Sequence, residues 1–168
     1  HAVDNTNQPN NEIIKNQQYT KQENTLEDST PHIIDISEEN YHNYFTQEGW
    51  YASDATNPYS RVSELRELVD AAHGYGLGIL LDVVYNHMAN TTLMENIVPG
   101  YYYRTINGAY TSGSGCGNDV ASTRAMARRL IVESTKYWVE EYKVDGFRFD
   151  LMGLIDTETI NEVISAVH

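Results

Sequence analysis

The chain has 168 residues, enough for one ordinary domain and too few for two well-built ones. Its formal charge of −13, from 24 acidic against 11 basic residues, repels a phosphate backbone and argues against nucleic acid as a partner. No apolar stretch approaches the roughly 20 residues that span a bilayer, and the single cysteine, Cys116, forms no internal disulfide and has no second Cys or nearby His at metal-ligand spacing.

Residues 1–30 are rich in Asn, Gln, Thr and Glu, with too little apolar surface to offset the entropy of ordering the backbone. They are expected to form a disordered leader or linker, of a kind that suits the mature end of an exported protein. Residues 31–168 then carry the domain. The segment "PHIIDI", 31–36, reads as a short strand, and 37–57 as an aromatic-rich loop.

In 61–73, Val62, Leu65, Leu68, Val69 and Ala72 recur at helical spacing, with Ser60 as the expected cap and Gly74 and Gly76 as stop signals. "LGILLDVVYNH" follows at once, an almost continuous aliphatic run of strand length, as expected of a parallel strand covered on both faces. Residues 88–119 form a long stretch full of Gly, Tyr, Ser, Thr and Asn; loops of such length are usually functional or disordered. A long helix is expected over 121–142, with Met126, Leu130, Ile131, Trp138, Val139 and Tyr142 on one face and Asn118 or Asp119 near its start. "KVDGFRFDL" is the next strand, and a last helix opens at Asp156 or Thr157 with Ile160, Val163, Ile164 and Val167 in register. Helix, strand, loop, helix, strand, helix is the order of an α/β fold with a parallel sheet.

The strand "GFRFD" carries two charges in an apolar run. Alternation puts Arg148 and Asp150 on one face and Phe147 and Phe149 on the other. A neighbouring guanidinium favours the ionised carboxylate, whereas burial disfavours it. Such a pair suits either a carboxylate held for nucleophilic attack or an ion pair that fixes strand register, and spacing does not separate the two. On the preceding strand Asp82 and Asn86 gather with His87 at the carboxyl end. There a hydrogen-bonded structural histidine is the commoner outcome for His87, and a structural role the commoner one for Asp82. Tyr101–Tyr103 suit either an aromatic stacking platform or the packing of the loop onto its scaffold.

"DVVYNH" (82–87) and "GFRFDLMG" (146–153), in this order and bracketing a long loop, resemble the first two sequence regions of the α-amylase superfamily, glycoside hydrolase family 13. "GCGNDVAS", "KYWVEEYKVDGFRFDLMGL" and "NYF…EGWYASD" look like the type I pullulanase subgroup, whose members cleave α-1,6 links in branched α-glucans. The resemblance covers roughly residues 41–168. One departure is that "DISEENYHNYF" stands where the subgroup has a Trp-Gly-Tyr-Asp-Pro signature.

The resemblance implies an α/β fold of the (β/α)8 TIM-barrel type. A complete barrel takes about 250 residues, so an incomplete one, a partial barrel with parallel strands, is expected. It implies that Asp150 is the catalytic nucleophile and that Arg148 holds it. It further implies that His87, Asn86, Asp82 and Tyr85 surround the substrate, an α-glucan polysaccharide or oligosaccharide. No cofactor and no required metal are implied. The family's general acid has no matching motif in these residues, so the readings that stand together are a piece of a debranching hydrolase, a piece of another α-amylase-superfamily hydrolase, or an α-glucan-binding remnant without bond cleavage. A partial barrel also exposes sheet edges, from which self-association is expected.

Overall fold

The computed structural model describes residues 33–37, 44–47 and 52–168. The expected leader lies outside the described residues, as do residues 38–43 and 48–51 of the aromatic-rich loop.

Three parallel strands form the sheet, in the order β1 (Ile33–Ser37), β2 (Gly78–Val83), β5 (Gly146–Phe149). Helix α1 (Ser60–Gly74) leads into β2, α3 (Ala125–Tyr142) leads into β5, and α4 (Thr157–Val167) follows a 3-10 turn at Met152–Leu154. Between β2 and α3 lie the short helix α2 (Thr92–Glu95) and a hairpin of β3 (Thr105–Ile106) with β4 (Ala109–Tyr110). The 88–119 stretch is therefore folded. Among the described residues no helix is long and apolar enough to cross a membrane.

The core forms on one side of the sheet. Ile79, Leu81 and Val83 alternate along β2, all at most 4% exposed, and join Val69, Ala72, Ile131, Trp138 and Tyr142 from α1 and α3 in one apolar cluster. Leu80 and Asp82, on the other face of β2, are only half-buried. The expectation of a strand covered on both faces is corrected accordingly: the helices supply apolar cover to one face and leave the other partly open. Register places Leu80 beside Gly146 and Asp82 beside Arg148 on that open face. A Cβ at residue 146 would stand 2.8 Å from Leu80 Cδ2, so glycine there lets the two strands close.

Both N-terminal caps expected for the first two long helices differ. Ser60 lies inside α1, whose cap position is Tyr59, without a side-chain hydrogen bond. Helix α3 starts at Ala125, after Arg124 in extended backbone; Asn118 and Asp119 lie six or more residues upstream and serve the loop. Asp156 does cap α4, accepting from the Thr159 amide at 3.0 Å. Arg128 on α3 reaches Glu158 at 2.8 Å and Glu162 at 2.9 Å, tying α4 to α3. Leu68, Met126 and Ile164, expected in the buried stripes, are 45–50% exposed.

Candidate active site

The carboxyl ends of β2 and β5 bring together five of the six residues singled out in the sequence. Arg148 stands between two carboxylates: its Nη1 is 2.6 Å from Asp82 Oδ2 and its Nη2 is 3.4 Å from Asp150 Oδ1. Although the strand is otherwise apolar, the Arg148 side chain is 60% exposed, against 31% for Asp150 and 15% for Asp82. Among the described residues, Arg148 lies on the sheet face that the helices leave partly open.

Asp150 is held through its main chain. Its amide donates to Val83 O at 3.0 Å, extending the β2–β5 ladder by one step, and its carbonyl accepts from Asn86 Nδ2 at 2.8 Å. The next residue, Leu151, has φ +43°, a left-handed backbone that costs a β- or γ-carbon-bearing residue roughly 1 kcal/mol or more. The strand thus ends in a sharp turn directly after the aspartate, leaving its carboxylate at the rim.

Asn86 and His87 are buried together. Because Asn86 Nδ2 donates to the Asp150 carbonyl, Asn86 Oδ1 faces His87 Nδ1 at 2.6 Å and accepts its proton. In the neutral ring the hydrogen therefore sits on Nδ1. Two motifs 64 residues apart are joined in one chain of contacts: Asp82, Arg148, Asp150, Asn86, His87.

Tyr85 is placed apart from this cluster. It is 2% exposed, its hydroxyl lies 2.7 Å from Ser134 Oγ on α3, and its ring packs edge-on to Tyr44 and against Phe149. Tyr103 is fully buried, with its hydroxyl donating to Met88 Sδ at 3.2 Å, and burial pushes that hydroxyl up to about 12. Tyr101 is half-buried, lies under the Arg124 guanidinium at 5.4 Å and accepts from the Met126 amide at 3.1 Å. These tyrosines are used in packing the loop onto its scaffold.

The loop itself contributes residues that periodicity did not reveal. Asn118 is 4% exposed; its Nδ2 donates to Met88 O at 2.6 Å and its Oδ1 accepts from Met88 N at 3.0 Å. Asp119 accepts from the amides of Gly113 and Ser114 at 2.8 and 2.9 Å. Burial would raise its carboxyl, but these bonds and the neighbouring Thr111 and Ser114 hydroxyls outweigh burial and hold it at about 2. Among the described residues no group of three or more His, Cys, Asp or Glu side chains is arranged to hold a metal ion, and Cys116 is exposed.

No protein-family model matches the chain. It is similar to the pullulanase of Bacillus subtilis (strain 168), 45% identical over 120 residues, which cover 70% of this chain and 17% of that protein. Among solved structures it is similar to pullulanase type I from Bacillus subtilis str. 168 complexed with maltose, with TM-score 0.74 and 42% identity over 76% of this chain and 18% of the other. It is also similar to the pullulanase from Paenibacillus barengoltzii in complex with maltohexaose and alpha-cyclodextrin, with TM-score 0.71 and 46% identity over 73% of this chain and 19% of the other. The chain thus spans less than a fifth of the length of these relatives.

Proposed function

We propose that this chain is the nucleophile-bearing part of a pullulanase-like debranching hydrolase, acting on α-1,6 bonds of branched α-glucans by a retaining mechanism. The observation that carries the reading is the joining of "DVVYNH" and "GFRFD" at one end of the parallel sheet, with Arg148 between Asp82 and Asp150. Similarity to pullulanases solved with maltose and maltohexaose supports an α-glucan as ligand. Three parallel strands, with helices against one face, support the reading as part of a (β/α)8 barrel, in which active sites gather at the carboxyl ends of the strands.

In this reading Asp150 attacks the anomeric carbon, and Arg148 orients its carboxylate. A main-chain clamp on both sides of Asp150 leaves the carboxylate as the part free to react, and a fixed backbone holds it near the productive geometry. Asp82 anchors Arg148 from the neighbouring strand. Asn86 couples the Asp150 carbonyl to the His87 ring, so His87 presents Nε2 to a sugar hydroxyl. The packing of Tyr85 supports a scaffold role for it rather than a sugar contact.

A retaining hydrolase also needs a carboxylic acid about 5 to 5.5 Å from the nucleophile to protonate the leaving oxygen. Glu158 and Glu162 are paired with Arg128, and Asp156 caps α4. That engagement favours, as a second reading, an α-glucan-binding part that cleaves nothing by itself. The open sheet face and the outer edges of β1 and β5 support self-association in either case.

The two readings separate on a substrate whose leaving group needs no acid. With α-maltosyl fluoride, an Asp150 oxygen forms the bond to C1 while the C1–F bond breaks and fluoride leaves with the electron pair; water then releases maltose. The catalytic reading predicts fluoride release that Asp150→Asn abolishes. Release at the same rate in both proteins, or in neither, contradicts it.

A further inference from the structure

We propose that Asn118 is a positioning residue for His87. The proposal rests on the reading of the β2 and β5 ends as a glucan site, but its structural core does not depend on that reading.

His87 is the middle residue of a segment gripped on both sides by the loop. Before it, the Asn86 carbonyl accepts from the Val120 amide at 2.8 Å. After it, both polar groups of Met88's main chain are taken by the Asn118 side chain, at 2.6 and 3.0 Å. A carboxamide has one acceptor and one donor group at fixed spacing, so it stands in for a peptide unit of a neighbouring strand. Asn118 thereby continues the sheet's hydrogen bonding past the end of β2, where no strand among the described residues runs beside residues 86–88. Asp at 118 lacks the donor, Leu lacks both groups, Ser offers a single oxygen that cannot reach both Met88 groups, and Gln places both a methylene further out.

The clamp is itself braced. Asp119, next in sequence, gathers the Gly113 and Ser114 amides, and Ser114 Oγ donates to the Asn118 carbonyl at 3.0 Å. The ring of His87 has little freedom left: its neighbours' peptides are fixed by the loop and its Nδ1 by Asn86. Loss of the Asn118 carboxamide frees the Met88 peptide and, with it, the angle at which His87 meets Asn86. Buried peptide groups left without partners re-pair elsewhere, so the local backbone shifts instead of staying in place.

Asn118→Ala and Asn118→Asp, the latter retaining the acceptor for the Met88 amide, are compared with Val69→Ala, a core truncation on α1 that destabilises without touching the clamp. The direct readout is the His87 tautomer in mildly alkaline buffer, from long-range proton–nitrogen correlation spectra. Wild type and Val69→Ala are expected to show hydrogen on Nδ1 alone; Asn118→Ala is expected to show a mixture, and Asn118→Asp an intermediate state. Maltotriose affinity is expected to fall about tenfold in Asn118→Ala and to be unchanged in Val69→Ala. A single Nδ1–H tautomer in both Asn118 variants overturns the proposal. Loss of the tautomer in Val69→Ala as well overturns it too, since general loosening would then suffice. A wild-type chain with no maltotriose affinity overturns the glucan reading, while the tautomer measurement still decides the role of Asn118.

Discussion

Asp82 and Arg148 occupy paired positions on adjacent parallel strands, with Arg148 Nη1 2.6 Å from Asp82 Oδ2, although 65 residues of chain intervene. The pair is asymmetric: the arginine is largely in water, whereas the aspartate is 15% exposed and its Oδ1 is buried without a hydrogen-bond partner among the described residues. The carboxylate therefore depends on the arginine more than the arginine depends on it. Removing the cation leaves a mostly buried charge uncompensated, so Arg148→Ala is expected to cost about 2 kcal/mol in urea unfolding, more than a surface pair would. Arg148→Lys should recover part of that loss but not the second contact, because an ammonium lacks the fork that reaches Asp82 and Asp150 together. Equal stability of Arg148→Ala and wild type would show that the pair is only a surface contact.

Tyr85 offers a clean separation of packing from ligand contact. Its hydroxyl meets Ser134, which also donates to the Tyr44 carbonyl, and Trp138 Nε1 donates to the same carbonyl at 2.9 Å. Tyr85→Phe is expected to lose about 1 kcal/mol of stability while maltotriose affinity is unchanged. An affinity loss at constant stability, read by calorimetric titration and thermal melting, would return Tyr85 to the ligand.

Acid should loosen the α3–α4 contact first. Burial would raise the Asp156 carboxyl, but bonds from Thr159 and Ser122 and the charge of Arg128 hold it at about 2, below the ordinary aspartate value. A carboxyl depressed in the folded state contributes stability that is fully present above its unfolded value, near 4, and is lost as pH falls from there towards about 2. Asp119, also held at about 2, adds loss in the same window. Asp156→Ala should cost about 1 kcal/mol at neutral pH through the lost cap, and should flatten the fall of melting temperature between these limits. An unchanged acid slope in that variant would place the acid sensitivity elsewhere.

From its strand edges and open sheet face the chain is expected to self-associate. Sedimentation velocity should show a concentration-dependent shift to larger species. A single monomeric boundary over the accessible concentration range, with a cooperative melt, would show that the described face needs no cover.

The elements that follow periodicity were legible from the sequence: the aliphatic run of β2, the helical stripes of α1, α3 and α4, and the alternation that pairs Arg148 with Asp150. Periodicity states which side a residue takes, not what lies there, and so it did not reveal that the Leu80, Asp82 and Arg148 face stands open. Ser60, Asn118 and Asp119 are good capping residues by type, yet only geometry decides whether a helix begins beside them; Asn118 instead bonds Met88, 30 residues earlier. The left-handed Leu151 was illegible for a related reason, since nothing local favours that backbone in leucine and the surrounding contacts impose it. For the candidate site, the two motifs marked the residues, but the main-chain clamp on Asp150 and the Asn86–His87 bond are products of long-range packing.

The most direct measurement is a maltotriose titration of the chain followed by backbone amide shifts, run beside Asp150→Asn. The account predicts saturable binding with the largest shifts at residues 82–88 and 148–151, retained in Asp150→Asn because that residue is held by its main chain. No saturable change up to about 10 mM, a weak affinity even for a single subsite, or shifts confined to the β3–β4 hairpin, would contradict it.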